Sequence, residues 1–135
     1  MKIFLSSHGH LASGIKSSLD ILIGNSDKLT IFDAYVDETN LTEKLDEFYE
    51  KIVDDEQVIL LSDLYGGSVN QQMVLYANRP NTTLIAGVNL ALVLELTIAE
   101  NLSKESIEEI VDQSRSMMRI VDISDEKSET EDDFF

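Results

Sequence analysis

Apolar and polar positions follow two alternating periods along the chain, which predicts strands that alternate with helices. Short runs rich in β-branched and aromatic residues predict strands at 3–6, 29–34, 58–62, 82–86 and 117–123. Between these runs, apolar residues recur at spacings of three and four, which is typical of amphipathic helices. The predicted helices cover residues 12–23, 41–53, 68–77, 89–100 and 103–116.

This alternation predicts one α/β domain, built on a single doubly wound, mostly parallel sheet with helices on both faces. The runs at 58–61 and 84–86 are continuously apolar, as strands covered on both faces are. We expect the domain to span residues 1–124. Residues 125–135 are polar and acidic, and we expect them to form a disordered tail.

Charge and composition exclude several classes of function. The chain has 135 residues and a net charge of −16, so nucleic acid, which requires a basic face, is not an expected partner. It contains no cysteine, which excludes a disulfide scaffold and a thiolate zinc site. The apolar stretch near the N-terminus is too short for a signal peptide or a membrane span, and we expect a cytoplasmic protein.

Residues that can carry chemistry follow several of the predicted strands. His8 follows the first strand, Asp33 ends the second, Asp63 follows the third and Asn89 lies just after the fourth. Because the carboxyl ends of parallel strands meet at one edge of a sheet, these residues are expected to lie close together. His10 is the second of the two histidines. His8, in a predicted strand-to-helix loop, is the leading candidate for a nucleophile.

The residue types around His8 suit phosphoryl transfer. An imidazole is nucleophilic at one nitrogen while the other holds a proton, and a carboxylate bonded to that proton fixes the tautomer and stabilises the cation formed on attack. Asp63 is placed to do this for His8. Gly66, Gly67 and Ser68 lead directly into a predicted helix, where backbone N–H groups and a hydroxyl can cradle an anion. Phosphoryl transfer depends mainly on such positioning and charge stabilisation.

Each of these residues also has an ordinary structural interpretation. His8 can be a structural residue at a strand end, and Asp63 can cap a loop or a helix. The Gly66-Gly67 pair can simply form a turn. Only their combination favours a reactive site.

The other polar residues at this edge have simpler interpretations. Asn89 is expected to cap a helix, Asp33 to be an acid at a loop edge, and His10 to be a variable loop residue. His8 and His10 do not show a recognised metal-ligand spacing, so no metal or other cofactor is expected.

Three motifs occur in order over nearly the whole chain, from residue 1 to about 123. They are Ser7-His8-Gly9-x-x-Ala12-x-Gly14, Asp63-Leu64-Tyr65-Gly66-Gly67-Ser68-x-Asn70 and Ala86-Gly87-Val88-Asn89-Leu90. Together they resemble the IIA domain of the mannose-type sugar phosphotransferase system (PTS), an EIIA domain of type 4.

The resemblance implies a phosphocarrier. Such domains take a phosphoryl group from the carrier protein HPr, hold it on a histidine, and pass it to a IIB component that feeds the IIC and IID membrane transporter. Carried onto this chain, the acceptor is His8, phosphorylated at Nε2 (tele-phosphohistidine), and Asp63 orients it. Ser7 and the residues Gly66, Gly67 and Ser68 are expected to bind the phosphoryl group.

The resemblance also implies an assembly and a location. Family members are usually homodimers that exchange a C-terminal strand, here 117–123, which would protect an exposed sheet edge. The protein would be cytoplasmic and meet the membrane transporter only through IIB. Many relatives have a proline where this chain has Val69, which leaves the sugar undetermined.

Other functions share parts of this pattern. A phosphohistidine subunit of a dihydroxyacetone kinase has the same fold and histidine, but Gly9 and the Gly-Gly-Ser loop favour the sugar system. A regulatory module that senses phosphorylation without passing it on also fits. A response-regulator receiver would use Asp63 as the acceptor, but it needs an acidic pair after the first strand, where this chain has Ser7 and His8.

Overall fold

The computed structural model describes residues 1–126, and its sheet contains four strands. These are β1 (Lys2–His8), β2 (Leu29–Ala34), β3 (Val58–Ser62) and β4 (Thr82–Ala86). The strand order is β2-β1-β3-β4, and every neighbouring pair is parallel. The prediction of a doubly wound parallel sheet is confirmed.

Helices follow the strands in the predicted order. They are α1 (Leu11–Ile23), α2 (Leu41–Glu50), α3 (Ser68–Val74), α4 (Leu90–Ile98), α5 (Lys104–Ser116) and the short α6 (Ile123–Glu126). β1 runs further than predicted, because its last residues still pair with β2, Ser7 opposite Asp33 and His8 opposite Ala34. His8 is therefore the final residue of a strand and not a loop residue.

The sheet has a hydrophobic core on each face. Every residue of β3 is buried, and successive side chains point to opposite faces. Leu60 lies in the cluster that contains Leu45 of α2. The adjacent Leu61 lies in the cluster that contains Leu19 of α1. Helices therefore cover both faces of β3, as its continuous apolar run predicted. The run at 84–86 lies in β4 at the edge of the sheet, and its residues are only partly buried.

Asparagine side chains cap two of the helices. Asn40 accepts a hydrogen bond of 2.8 Å from the Thr42 backbone N–H at the start of α2. Asn89 accepts one of 2.9 Å from Leu92 N–H at the start of α4, and its own amide donates to the Ser114 carbonyl at 2.6 Å. The expectation that Asn89 is a helix cap is confirmed, and the same side chain ties α4 to the end of α5.

The strand predicted at 117–123 is wrong for the single chain. Met117 still has helical backbone angles, and α6 begins at Ile123. The apolar residues between them are exposed: Met118 by 82%, Ile120 by 95% and Val121 by 66%. A strand needs a neighbour for its backbone hydrogen bonds, and no strand among residues 1–126 pairs with this segment. Exchange of this strand between subunits stays a prediction.

The predicted tail lies almost wholly outside the described residues. Its first residues, 125 and 126, belong to α6, and residues 127–135 are not described. Within 1–126, no helix combines the length and the apolar character that crossing a membrane requires.

Because the sheet has a core on each face, we expect neighbouring residues of β3 to contribute similarly to the free energy of unfolding. Leu60 and Leu61 are both fully buried, so Leu60→Ala and Leu61→Ala should each lower the free energy of unfolding by about 2–5 kcal/mol. Ile21→Ala, on an exposed part of α1, should change it by less than about 0.5 kcal/mol. Urea denaturation measures all three. A sheet with one uncovered face would instead show one leucine variant as mild as Ile21→Ala.

Candidate functional site

Two hydrogen bonds fix His8 to Asp63. The ring nitrogen Nδ1 and the backbone N–H of His8 both lie 2.8 Å from the same carboxylate oxygen, Oδ2 of Asp63. β1 and β3 are neighbours in the sheet, so their carboxyl ends bring the two residues together as predicted. A carboxylate can only accept, so Nδ1 carries the proton and Nε2 presents a lone pair.

The two side chains differ in exposure. His8 is 44% exposed, whereas Asp63 is only 11% exposed. Burial would raise the pKa of Asp63, but hydrogen bonds from the backbone and ring of His8, together with the charge of the ring in its protonated form, outweigh it and lower that pKa. The second carboxylate oxygen, Oδ1, is buried and has no hydrogen-bond partner among the described residues.

Ser68 occupies the other side of the imidazole. Its Oγ lies 3.1 Å from His8 Nε2. Because Nε2 carries a lone pair, the Ser68 hydroxyl is the donor in this bond. Ser68 is the first residue of α3, and α3 is held to the end of β3 by a buried bond of 2.9 Å from Ser62 Oγ to Asn70 Oδ1.

The glycines before Ser68 shape the loop that delivers it. Gly66 has a φ of +76°, which a residue with a side chain rarely adopts. The N–H of Gly67 donates to the Leu64 carbonyl at 3.0 Å, so this amide is already engaged in a turn. The predicted contact of Gly66 and Gly67 with an anion stays a prediction.

Ser7 supports the site from below the surface. It is fully buried, and its hydroxyl donates to the Gly9 carbonyl at 3.1 Å and accepts from Ala12 N–H at 2.8 Å. Gly9 has a φ of +60°, which lets the chain turn immediately after His8. The Ser7 hydroxyl therefore has both its bonding roles filled within the β1–α1 turn.

Tyr35 belongs to the site, although the sequence did not single it out. Its hydroxyl lies 2.7 Å from Ser68 Oγ, and its ring centroid lies 5.3 Å from that of His8. It directly follows the last residue of β2, at the same edge of the sheet. That position is the one signal that could have found it.

His10 and Asp33 form a second pair that stands apart. His10 Nδ1 lies 3.0 Å from Asp33 Oδ2, and the His10 side chain is 75% exposed. Asp33 Oδ1 also accepts from the Ser13 N–H of α1 at 3.0 Å. Burial would raise the pKa of Asp33, but the bonds from Ser13 and His10 outweigh it and lower that pKa. Because Asp33 accepts the bond from Ser13, it anchors the first turn of α1. The pair shares no hydrogen bond with His8 among the described residues.

The arrangement favours chemistry at a nitrogen nucleophile. The His8 side chain is half-exposed, its tautomer is fixed, and Asp63 is a partner for the positive charge that attack creates. Hydroxyl donors of Ser68 and Tyr35 lie on the side where a transferred group would sit. Among residues 1–126, no group of three or more histidine and acidic side chains is placed to hold a metal ion.

Comparisons with known proteins show the family of the chain. The family model for the PTS system fructose IIA component (EIIA-man) matches residues 2–115. Among curated protein sequences, none matches significantly.

Solved structures share the fold. A Klebsiella pneumoniae protein assigned as a phosphoenolpyruvate-dependent sugar phosphotransferase system permease is 25% identical, with a TM-score of 0.79 over 88% of this chain and 89% of its own. The IIA protein associated with a fucose utilisation operon of Streptococcus pneumoniae is 24% identical, with a TM-score of 0.71 over 93% and 94%. A mannose/sorbose-specific IIA subunit of Enterococcus faecalis is 22% identical, with a TM-score of 0.65 over 90% and 94%.

The lowered pKa of Asp63 predicts how the stability of the fold depends on pH. Because the folded pKa lies below the ordinary value of 3.8, ionised Asp63 stabilises the fold above that value, and this contribution is lost as the pH falls through the folded pKa. Asp63→Asn should therefore be less stable than the wild type near about pH 6, by a margin that shrinks as the solution is acidified. Urea unfolding at several pH values measures that margin. A margin that does not change with pH would contradict the assignment.

Proposed function

The chain belongs to the family of PTS fructose IIA components, and from this premise we propose that it is a phosphocarrier. It accepts a phosphoryl group from phospho-HPr on His8 and passes it to a IIB component, for coupled sugar uptake and phosphorylation. The observation that carries the proposal is the half-exposed His8 side chain, whose Nδ1–H is held by Asp63 at 2.8 Å so that Nε2 is the nucleophilic nitrogen.

The transfer step needs no proton to move. The Nε2 lone pair attacks phosphorus, the new N–P bond forms, and the bond from phosphorus to the HPr imidazole breaks with its electron pair returning to that nitrogen. His8 keeps its Nδ1–H and gains positive charge. The second transfer repeats the step, with the IIB nucleophile attacking phosphorus and the electron pair returning to Nε2.

Asp63 stabilises the charge that appears on His8. Its carboxylate accepts from both N–H groups of the residue and is largely buried, where a fixed charge interacts more strongly than in water. Asp63 therefore orients the nucleophile and favours its phosphorylated form.

Ser68 changes its role during transfer. In the free protein its hydroxyl donates to the Nε2 lone pair at 3.1 Å. Once that lone pair is bonded to phosphorus, the hydroxyl can donate to a phosphoryl oxygen instead, and such charge-assisted bonds are strong. Gly66 and Gly67 shape the loop that holds Ser68, and Ser7 holds the turn after His8.

The proposal requires neither a metal nor a cofactor. The phosphoryl group leaves one imidazole for another, so the exchange between HPr and His8 is close to balance. The work of the site is positioning and charge stabilisation. We also propose that the protein acts in the cytoplasm and meets the IIC and IID transporter only through IIB.

A homodimer accounts for two features of the single chain. One is the exposed apolar segment 117–123. The other is the outer edge of β4, which pairs with no strand among residues 1–126 and lies in a groove of about 640 Å³ flanked by Val74 of α3 and Val111 of α5. Segment 117–123 of a second copy would fill the groove as an added strand and protect the edge.

The first test follows labelled phosphate from phosphoenolpyruvate through enzyme I and HPr. Wild type and His10→Ala should become labelled, and His8→Ala should not, because only His8 has both an oriented lone pair and a hydroxyl at Nε2. The label should be stable in alkali, as phosphohistidine is, whereas an acyl phosphate on Asp63 would be lost. Gel autoradiography measures the labelling.

Two outcomes would contradict the proposal. Equal labelling of His8→Ala and wild type would remove His8 from the reaction. A labelled wild type that transfers nothing to its cognate IIB would favour the regulatory module, and transfer only to dihydroxyacetone kinase components would favour that alternative.

The second test concerns the dimer. Replacing Ile120 and Val121 together by Asp should weaken association by about tenfold or more. The charged side chains would have to leave water, in a groove whose lining already includes the acidic Glu108 and Asp112. Ile21→Asp, on an exposed part of α1, is the matched control and should associate like the wild type. Sedimentation over a concentration series measures both, and an unchanged dimer in the double variant would exclude 117–123 from the interface.

A further inference from the structure

The hydrogen bonds around His8 form a chain in which the donor and the acceptor of each bond are determined. Asp63 accepts from Nδ1–H, so Nε2 accepts from Ser68 at 3.1 Å. Ser68 has a single hydroxyl proton, which it donates to Nε2. In the 2.7 Å contact between the Ser68 and Tyr35 hydroxyls, the phenol must therefore be the donor. Gln72 Nε2 in turn donates to the Tyr35 oxygen, at 3.5 Å.

We propose that Tyr35 is a positioning and phosphoryl-binding residue of the His8 site. In the free protein its phenol holds the Ser68 hydroxyl on the Nε2 lone pair. When Nε2 is phosphorylated, Ser68 loses that acceptor, and the hydroxyls of Ser68 and Tyr35 donate hydrogen bonds to phosphoryl oxygens instead. The inference rests on the proposed phosphocarrier function.

The position of Tyr35 supports this role. Its oxygen lies one hydrogen bond beyond Ser68, on the side of the imidazole where a group on Nε2 must project. The Tyr35 ring also lies 5.3 Å from the His8 ring, tilted by 34°. An aromatic ring at this distance attracts a cation, and His8 becomes cationic as the N–P bond forms. The Tyr35 hydroxyl therefore binds the phosphoryl oxygens, and the Tyr35 ring stabilises the positive charge on the imidazole.

The backbone of Tyr35 is strained, which its side-chain contacts help to offset. Its φ is +66°, a left-handed conformation that is unfavourable for a residue with a Cβ. Such strain clusters at functional sites, where surrounding contacts maintain it. Here the contacts are the bond to Ser68 and the ring packed beside His8, although Tyr35 is 60% exposed.

The test uses potassium phosphoramidate, which phosphorylates histidine without HPr. Nε2 attacks phosphorus, the N–P bond of the reagent breaks, and ammonia leaves. In a His10→Ala background, which leaves His8 as the one histidine, Tyr35→Phe should lose its phosphoryl group about tenfold faster than the background protein, the effect of one missing charge-assisted hydrogen bond. Tyr35→Leu, which also removes the ring, should lose it faster still. Tyr65→Phe, a tyrosine that is 85% exposed, is the matched control and should behave like the background protein.

A second readout needs no phosphorylation. Nitrogen-15 NMR reports the hydrogen bond at Nε2, whose resonance moves to higher frequency as its donor weakens. Ser68→Ala should show the largest movement, Tyr35→Phe a smaller one, and Tyr65→Phe none. A merely structural tyrosine, whose ring is retained in Phe, would not move this signal.

The outcomes separate this inference from the proposed function. If Tyr35→Phe matches the background protein in both phosphoryl lifetime and Nε2 frequency, the inference is overturned even where HPr labels His8. If phospho-HPr fails to label the wild type while the phosphoramidate and NMR results follow the predicted order, the phosphocarrier proposal fails and the role of Tyr35 stands.

Discussion

Both N–H groups of His8 converge on one oxygen of Asp63, and the remaining features of the site depend on that contact. It requires the ends of β1 and β3 to be level, and the strand register provides this, because Ser6 pairs with Ser62. His8 lies two residues beyond Ser6, and Asp63 lies one residue beyond Ser62. A shift of one residue between these strands would move His8 by about 3.3 Å relative to Asp63, which is too far for both hydrogen bonds to persist. The buried clusters on both faces of the sheet, which include Leu60 and Leu61, oppose such a shift.

The strand order then decides what else reaches His8. β1 lies between β2 and β3, so the segment after β2 and the segment after β3 both reach the imidazole. The first supplies Tyr35, and the second supplies Asp63 and Ser68. Residues far apart in sequence thus form one chain of hydrogen bonds. In this chain, each hydroxyl or ring N–H has only one acceptor to which it can donate its proton. The fold determines the tautomer of His8 as well as its position.

The sequence predicted the parts of this arrangement that follow from periodicity and from strand ends. β2, β3 and β4 lie at the predicted residues, because short apolar runs between helices have few other ways to be buried. His8, Asp63 and Ser68 were found because the ends of parallel strands meet at one edge. Tyr35 was missed because its role depends on a positive φ and on the proton that Ser68 donates, neither of which composition or spacing encodes. Residues 117–123 have the composition of a strand, but a local pattern does not specify where the pairing strand lies, and none is available within the described chain.

The chemistry of the site suits transient binding of a phosphoryl group. The side chains hydrogen-bonded to His8 are Asp63 and Ser68, with Tyr35 beside them, and this set includes no cation. The protein as a whole carries a net charge of −16, so a phosphoryl dianion gains nothing from the surrounding charge. Its stabilisation has to come from neutral hydroxyls at the oxygens and from the positive charge that it induces on the imidazole beside a buried carboxylate. A hydroxyl donor carries no charge of its own, so these bonds lack the ion pairing that Arg or Lys would add, and the group is held without being trapped. Because the His8 side chain is half-exposed, a second protein can approach it, which is the property that a carrier between two proteins needs.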